Sequence, residues 1–308
     1  MSKEQFRAVF DAHVVFSNGG DLHTEGFRVD VGSELVSEAE VGELFVRSLN
    51  LLMVESVEIL NLRVIREAHK GTHGGPSDAG GFARERRLVE LNHVIHAGMT
   101  TYPGLPVPRI SSHLSREDSR AIYAAGTEFT IDAITMVGNT GTYLDAPFHR
   151  YRDGADLAGV GLESLVDLPA VLVRASSHTR AIDVATLAPY DVRGAAVLLH
   201  TGADERWGSD AYVVDSPYLS DAGARWLVEH GARLVGIDAF NIDDVKDPTR
   251  PAHSVLLAGG VPIVEHLTGL DQLPATGALF SAAPARVAGF GTFPVRAYAS
   301  IPVATVSI

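Results

Sequence analysis

The chain of 308 residues has no cysteine. Disulfides, thiolate catalysis and cysteine-bound zinc are therefore excluded, and any metal must rest on His, Asp, Glu or neutral oxygen ligands. Aromatic residues make up only 7% of the chain, so nothing marks an aromatic-rich pocket. Positive charge is also scarce: 25 Lys and Arg stand against 38 Asp and Glu, a net charge of -13. So acidic a chain repels phosphate backbones and anionic lipid, and neither nucleic acid nor a membrane is an expected partner. Long apolar runs are missing: the stretch LLMV (51–54) falls far short of the roughly 20 residues a membrane span needs. The N-terminus MSKEQFRAVFDAH has no apolar signal core, so a cytoplasmic protein is expected. No Gly-rich phosphate loop opens a helix, and no nucleotide cofactor is indicated. What remains is ordinary for a globular protein, with 46% hydrophobic and 20% charged residues in one large domain or two.

Residues 1–66 read as a small β-β-α-β unit. FDAHVVF and GFRVDVG alternate as strands, with Asn18-Gly19-Gly20 in the turn between them. Ser37 and Glu40 have capping-box spacing, and Val41, Leu44, Phe45, Leu49 and Leu52 recur at helical intervals. SVEILNLRVIRE then alternates as a third strand. Residues 67–85, rich in Gly with Pro and Ser, read as a linker or loop. From residue 86 to 308 short Val-, Ile- and Leu-rich runs prevail, among them RLVELNHVIHAG, EFTIDAITMVGN, PAVLVRAS, AAVLLHTG, RLVGIDAF and VPIVEHL. They read as buried strands with polar residues at their ends. LSDAGARWLVEHGA is the clearest helix, with Ala222, Ala224, Trp226 and Leu227 inward and Gly231 as its stop. The fold class is α/β, rich in strand and not a regular βαβ ladder. Its strand ends can converge on one cleft.

Three stretches concentrate chemistry. In NTGTYLDAPFH (139–149), Thr142 can donate or accept, Asp145 can hold a metal or orient a base, and His149 can move protons. Pro147 and Gly141 shape the backbone around them. GIDAFNIDD (236–244) carries Asp238, Asn241, Asp243 and Asp244, residues that commonly cap turns. In AHSVLLAGGVPIVEH (252–266), Gly259-Gly260 separates two apolar runs, so His253 and Glu265 can return to one end of a hairpin-like pair. Phe148, Tyr151 and Phe240 lie close in sequence to these residues and can contact a ring. Trp207 and Trp226 read as packing, and His93 and His96 as strand-end residues near the cleft.

Together these residues resemble the cyclase-like amidohydrolases, which include bacterial kynurenine formamidase and isatin hydrolase. The family pattern His-x-Gly-Thr-His-x-Asp-x-Pro-x-His stands here as Asn139-Thr-Gly-Thr-Tyr143-Leu-Asp145-Ala-Pro-Phe-His149. The similarity runs on through VLLHTGADERW and SPYLSDAGARWLVEHGARLVGIDAFNIDD to His253 and Glu265. His69-Lys-Gly-Thr-His73 spells half of the same pattern but lacks its Asp and final His, and reads as coincidence.

The resemblance implies a swivelling β/β/α cyclase-like fold, a homodimer or homotetramer, and metal-assisted hydrolysis of a small amide. It implies a catalytic role for His149 and metal-ligand roles for Asp145, His253 and Glu265. Asn139 and Tyr143 stand where the family has two more histidine ligands. An amide oxygen or a neutral phenol is a weak ligand by comparison, so a binuclear site is not expected. Two arrangements stay open: a single Zn or Mn on Asp145, His253 and Glu265, or a metal-free pocket. Loss of both imidazoles favours the second, in which His149 acts as base, Asp145 or Glu265 orients it, and Tyr143 donates to an oxyanion. Asn139, Thr142, Phe148 and Phe240 are the expected substrate contacts. The expected function is hydrolysis of a small amide, lactone or cyclic carbonyl compound. The alternatives are a cyclase or dehydratase acting on a small carbonyl or polyketide-type metabolite, and a non-catalytic ligand-binding relative.

Overall fold

Apolar alternation at the start of the chain becomes a meander. The computed structural model describes residues 5–49, 51–67, 86–175 and 180–303; beyond Glu67, the expected 67–85 loop lies outside them. The chain divides into two units, one before residue 86 and one from Arg86 onward. In the first, β1 (Gln5–Phe16), β2 (Asp21–Val31) and β3 (Val54–Glu67) form an antiparallel sheet in the order β2-β1-β3. The helix α1 (Glu38–Ser48) carries the expected capping box: Glu40 N–H donates to the Ser37 hydroxyl, and Ser37 N–H donates to the Glu40 carboxylate. Val41 and Phe45 are fully buried, and Phe45 meets Phe10 edge-on at 5.5 Å. Leu49 and Leu52, expected on the same stripe, are exposed, because the helix ends at Ser48.

Among the described residues the second unit has thirteen strands: β4 (Arg86–Glu90), β5 (Arg109–Leu114), β6 (Ile131–Thr135), β7 (Tyr143–Asp145), β8 (Leu168–Arg174), β9 (Ala181–Ile182), β10 (Ala196–His200), β11 (Tyr218–Leu219), β12 (Leu234–Ile237), β13 (Ile263–Glu265), β14 (Leu279–Ser281), β15 (Thr292–Pro294) and β16 (Tyr298–Pro302). Nine of them make a mixed sheet in the order β15-β7-β13-β12-β10-β8-β14-β16-β4. Neighbours from β8 to β13 run parallel, and both flanks are antiparallel. The parallel centre explains the unbroken apolar runs. β10 and β12 are covered on both faces, so Ala196 to Leu199 and Leu234 to Ile237 are buried without alternation. Val197, Leu199, Val235 and Ile237 pack on one side with α2 (Asp221–Glu229) and α3 (Pro251–Ala258), through Ala224, Leu227, Leu256 and Leu257. Leu198, Leu234, Val264 and Phe280 pack on the other. The architecture is thus mixed α/β, and no helix among the described residues is long and apolar enough to cross a membrane.

Three sequence expectations change here. β6 pairs with β5 in a separate two-stranded ribbon and is exposed, not buried in the main sheet. Residues 252–258 form most of α3, not a strand, so His253 and Glu265 meet across a helix–strand pair. A short apolar run cannot tell a buried helix from a strand. Here Pro251 at the first turn and the Asp243 carboxylate, accepting from Ala252 N–H, start the helix. In α2, Ser220 caps as expected and Gly231 takes φ +79°, but Ala222 faces solvent.

Candidate active site

β7 is only three residues long, yet it sets the site. Its side chains alternate, so Leu144 enters the core while Tyr143 and Asp145 share the opposite face. β7 is paired on both sides. Against β13, Tyr143 stands opposite Glu265; against β15, Asp145 stands opposite Thr292. Register alone therefore makes both pairs neighbours. The Tyr143 hydroxyl donates to Glu265 Oε2 at 2.6 Å, and Ile242 N–H donates to Glu265 Oε1 at 2.6 Å. The Thr292 hydroxyl lies 2.5 Å from Asp145 Oδ1 and 2.7 Å from His149 Nδ1.

A threonine has one hydroxyl proton, and an ionised carboxylate can only accept. Thr292 therefore donates to Asp145 and accepts from His149 Nδ1–H. When its ring carries one proton, His149 is thereby left with its lone pair on Nε2. The ring rides on a 3-10 turn, Pro147–His149, that lies directly on β15. Gly291 makes that contact possible: a Cβ there would sit 2.6 Å from His149 N and 2.7 Å from its Cα. No flexible side chain is available to yield, because both atoms are backbone.

His253 is presented by the first turn of α3. Its Nδ1 lies 2.6 Å from Asp243 Oδ2, and Asp243 also accepts from Ala252 N–H at 2.6 Å. One carboxylate thus caps the helix and fixes the ring, turning Nε2 toward Asp145 Oδ2 at 3.6 Å and Glu265 Oε1 at 3.7 Å. Both separations are charged contacts too long for hydrogen bonds. Burial alone would drive the proton off His253, but the surrounding carboxylates of Asp145, Asp243 and Glu265 hold it on up to about 10. Burial also pushes the Asp145 carboxyl up; His253, the His149 charge and the Thr292 hydroxyl outweigh it and hold the group below its ordinary value. Glu265 goes the other way: burial and the nearby Asp145 raise it to about 7 against the pull of His253. Tyr143, buried between Glu265 and Asp145, is raised well above its ordinary value and keeps its proton.

These residues can hold one cation. Asp145 Oδ2 is buried and has no hydrogen-bond partner, although three carboxylates crowd one imidazole. Two ligands each about 2.1 Å from a tetrahedral metal stand about 3.4 Å apart, close to the His253–Asp145 separation; Glu265, the third expected ligand, has both oxygens taken by Tyr143 and Ile242 and does not join the donor cluster. The Asp243 contact at Nδ1 is the support that metal-binding histidines usually receive. Donor atoms of Asp145, His149 and His253 also lie within 4.8 Å of one another. Tyr143 is committed to Glu265 as a neutral donor and makes a poor ligand.

The site opens into a cavity of about 490 Å³ lined by Asn139, Tyr143, His149, His253 and Glu265, with Tyr102, Asn241 and Arg250 beside them. Thr142 is instead a buried bracket, donating to the His266 carbonyl and accepting from His93 N–H. Phe240 is buried against Tyr102 with ring centroids 4.3 Å apart, and Phe148 is half-buried; neither lines the cavity. Thr292 and Tyr102 carry no local sequence signal, and Asp243 reads in sequence only as a turn cap.

Comparison with known proteins gives one direction. A family model described as "Putative cyclase" matches residues 89–244. Kynurenine formamidase of Sphingopyxis alaskensis is 29% identical over 215 residues, which cover 68% of this chain and 96% of that protein. Isatin hydrolase A from Labrenzia aggregata superposes with a TM-score of 0.62 at 25% identity, over 71% of this chain and 94% of that one. A structure described as a potential metal-dependent hydrolase with cyclase activity gives a TM-score of 0.59 at 26% identity, over 71% of this chain and all 100% of that one.

Proposed function

The chain belongs to the cyclase-like amidohydrolase family, and from that premise we propose that its cavity hydrolyses the C–N bond of a small amide with His149 as general base and acid. The observation that carries this reading is the buried Asp145–Thr292 pair that holds His149 at the cavity wall. Its relatives bear the names of amide-bond hydrolases, and a formamide or a small cyclic amide is the fitting substrate class.

The residues divide the work. His149 Nε2 takes a proton from the attacking water as its oxygen adds to the amide carbonyl. The same proton then passes to the departing nitrogen as the C–N bond breaks, and the base is restored. Thr292 and Asp145 keep the ring in the tautomer that this requires. Asn139, Asn241 and Tyr102 offer polar groups along the cavity to the carbonyl oxygen and its substituents. One divalent cation, Zn or Mn, would rest on Asp145 and His253, with Asp243 behind His253; when bound it would supply Lewis-acid polarisation. The buried, unpartnered Asp145 oxygen supports this arrangement over the metal-free pocket.

The test is product analysis on an aryl formamide and a five-membered cyclic amide, with elemental mass spectrometry on protein purified without a tag or chelator. Addition of one water to the substrate, lost in His149→Ala, together with about one equivalent of metal lost in Asp145→Asn, is the expected result. A product lighter by one water would replace hydrolysis with elimination. Turnover undiminished after exhaustive metal removal would remove the cation.

A further inference from the structure

Two arginines line the same cavity, Arg150 and Arg250. Each is tied to the site by sequence: Arg150 follows His149, and Arg250 is the N-cap of α3, three residues before His253. In a chain of net charge -13, carboxylate partners are plentiful. Neither arginine pairs with one among the described residues. Arg150 reaches the Ser254 hydroxyl at 3.4 Å and lies 5.3 Å from the Tyr151 ring centroid. Arg250 reaches only the Asp244 carbonyl, at 3.3 Å.

The acids near Arg250 are all engaged elsewhere. Asp243 holds His253 and the start of α3. Asp244 is taken by Arg180 in a two-pronged pair at 2.8 and 3.0 Å. Asp247 caps Thr249 through its N–H and hydroxyl. A fork-shaped donor thus lines the cavity with no carboxylate within ion-pair distance among the described residues. Such a donor fits a carboxylate with two parallel hydrogen bonds.

The backbone of Arg250 adds a second observation. It takes φ +50° and ψ +60°, the left-handed region, immediately before a proline. That conformation is unfavourable for a residue with a Cβ, and a following proline disfavours helical angles as well. Glycine would take it with less strain, yet the position carries a long cation aimed at the cavity. Strain retained beside a site points to use of the side chain.

We infer that the substrate carries a carboxylate apart from the bond that is cleaved, and that Arg250, assisted by Arg150, anchors it. This rests on the hydrolase reading for the identity of the cleaved bond, but the anchor itself can be read without turnover. The anion sits on the arginines at the cavity wall. Binding at that point turns the rest of the molecule toward His149. Arg250 is accordingly a specificity determinant, and both arginines act on binding and orientation.

The experiment uses the full chain and two readouts. Calorimetric titration with benzoate and with benzamide reports the anchor alone. Hydrolysis of 2-formamidobenzoate and of its methyl ester reports its effect on the reaction. Arg250→Gln and Arg250→Gly remove the guanidinium; the second also relieves the backbone, so its Tm should be unchanged or higher and it serves as the folded comparison. Wild type should bind benzoate at least tenfold more tightly than benzamide, and each variant should erase that margin. The ratio of kcat/KM for acid over ester should fall about 10- to 100-fold, the usual range for a charge-assisted pair, with Arg250→Lys recovering part of it. Benzoate binding that depends on Arg250 without any hydrolysis would keep the anchor and remove the hydrolase reading. Hydrolysis of acid and ester alike, with a ratio unmoved in both variants, would overturn the anchor and leave the hydrolase reading intact.

Discussion

Replacing Thr292 by Val removes one hydroxyl and almost no volume. That hydroxyl makes two hydrogen bonds, 2.5 Å to Asp145 Oδ1 and 2.7 Å to His149 Nδ1. Asp145 Oδ2 already lacks a partner, so the variant leaves a buried carboxylate with neither oxygen hydrogen-bonded. Leaving a buried acceptor unsatisfied costs about 1–3 kcal/mol, and the charge places this case at the upper end. The catalytic effect is separate. Without the hydroxyl, nothing fixes the proton on His149 Nδ1, and part of the ring population carries it on Nε2, where it cannot act as base. General-base catalysis contributes about 10²–10⁴-fold, so partial loss should lower kcat/KM about 10- to 100-fold, roughly 1.4–2.7 kcal/mol. The assay is amide hydrolysis across pH 5–9 at equal metal content, alongside thermal unfolding. Thr292→Ser keeps the hydroxyl and should recover most of the rate. In a His149→Ala background, Thr292→Val should cost almost nothing further, because both changes break one unit. A Thr292→Val enzyme within twofold of wild type, or a serine variant as poor as valine, would refute the tautomer argument.

Further expectations follow from the same geometry. Gly291→Ala should lower stability by about 1–3 kcal/mol and impair turnover, because its Cβ displaces the backbone of His149; unfolding midpoints and kcat report the two effects. Tyr143→Phe should cost about 1–3 kcal/mol by stripping Glu265 Oε2 of its donor, and a neutral unfolding curve would show that the bond contributes nothing. In chelator-treated protein, His253 has its pKa raised from 6.5 to about 10, so its charge stabilises fully below pH 6.5 and the contribution is lost as pH rises through 10. Urea titrations of wild type and His253→Gln should therefore differ more at pH 6 than at pH 8 and converge above pH 10. Glu265, raised from 4.5 to about 7, opposes folding once it ionises, so Glu265→Gln should raise the midpoint of chelator-treated protein above pH 7; a lowered midpoint would contradict the crowding of negative charge.

Much of this molecule follows from sequence alone. Buried parallel strands must be continuous Val, Ile and Leu runs, and β10 and β12 announce themselves that way. The capping box at Ser37 and the start and stop of α2 are local chemistry and survive into the structure unchanged. The pattern from Asn139 to His149 marks Asp145 and His149, because their spacing is short and set by Pro147. Tertiary structure decided the rest. His253 lies on a helix and not a strand, since a capping carboxylate from Asp243 and a proline settle what the apolar run leaves open. Ile131 to Thr135 has the composition of a core strand, yet it pairs outside the main sheet and is exposed. Thr292 becomes part of the site only through the register of β15 on β7, and no local pattern encodes a pairing with residues so far back along the chain. The same register turns Tyr143 from a missing ligand into the donor that holds Glu265. Sequence periodicity specifies which faces are apolar; which polar atoms meet depends on strand order and register, and these are fixed by packing of the whole second unit.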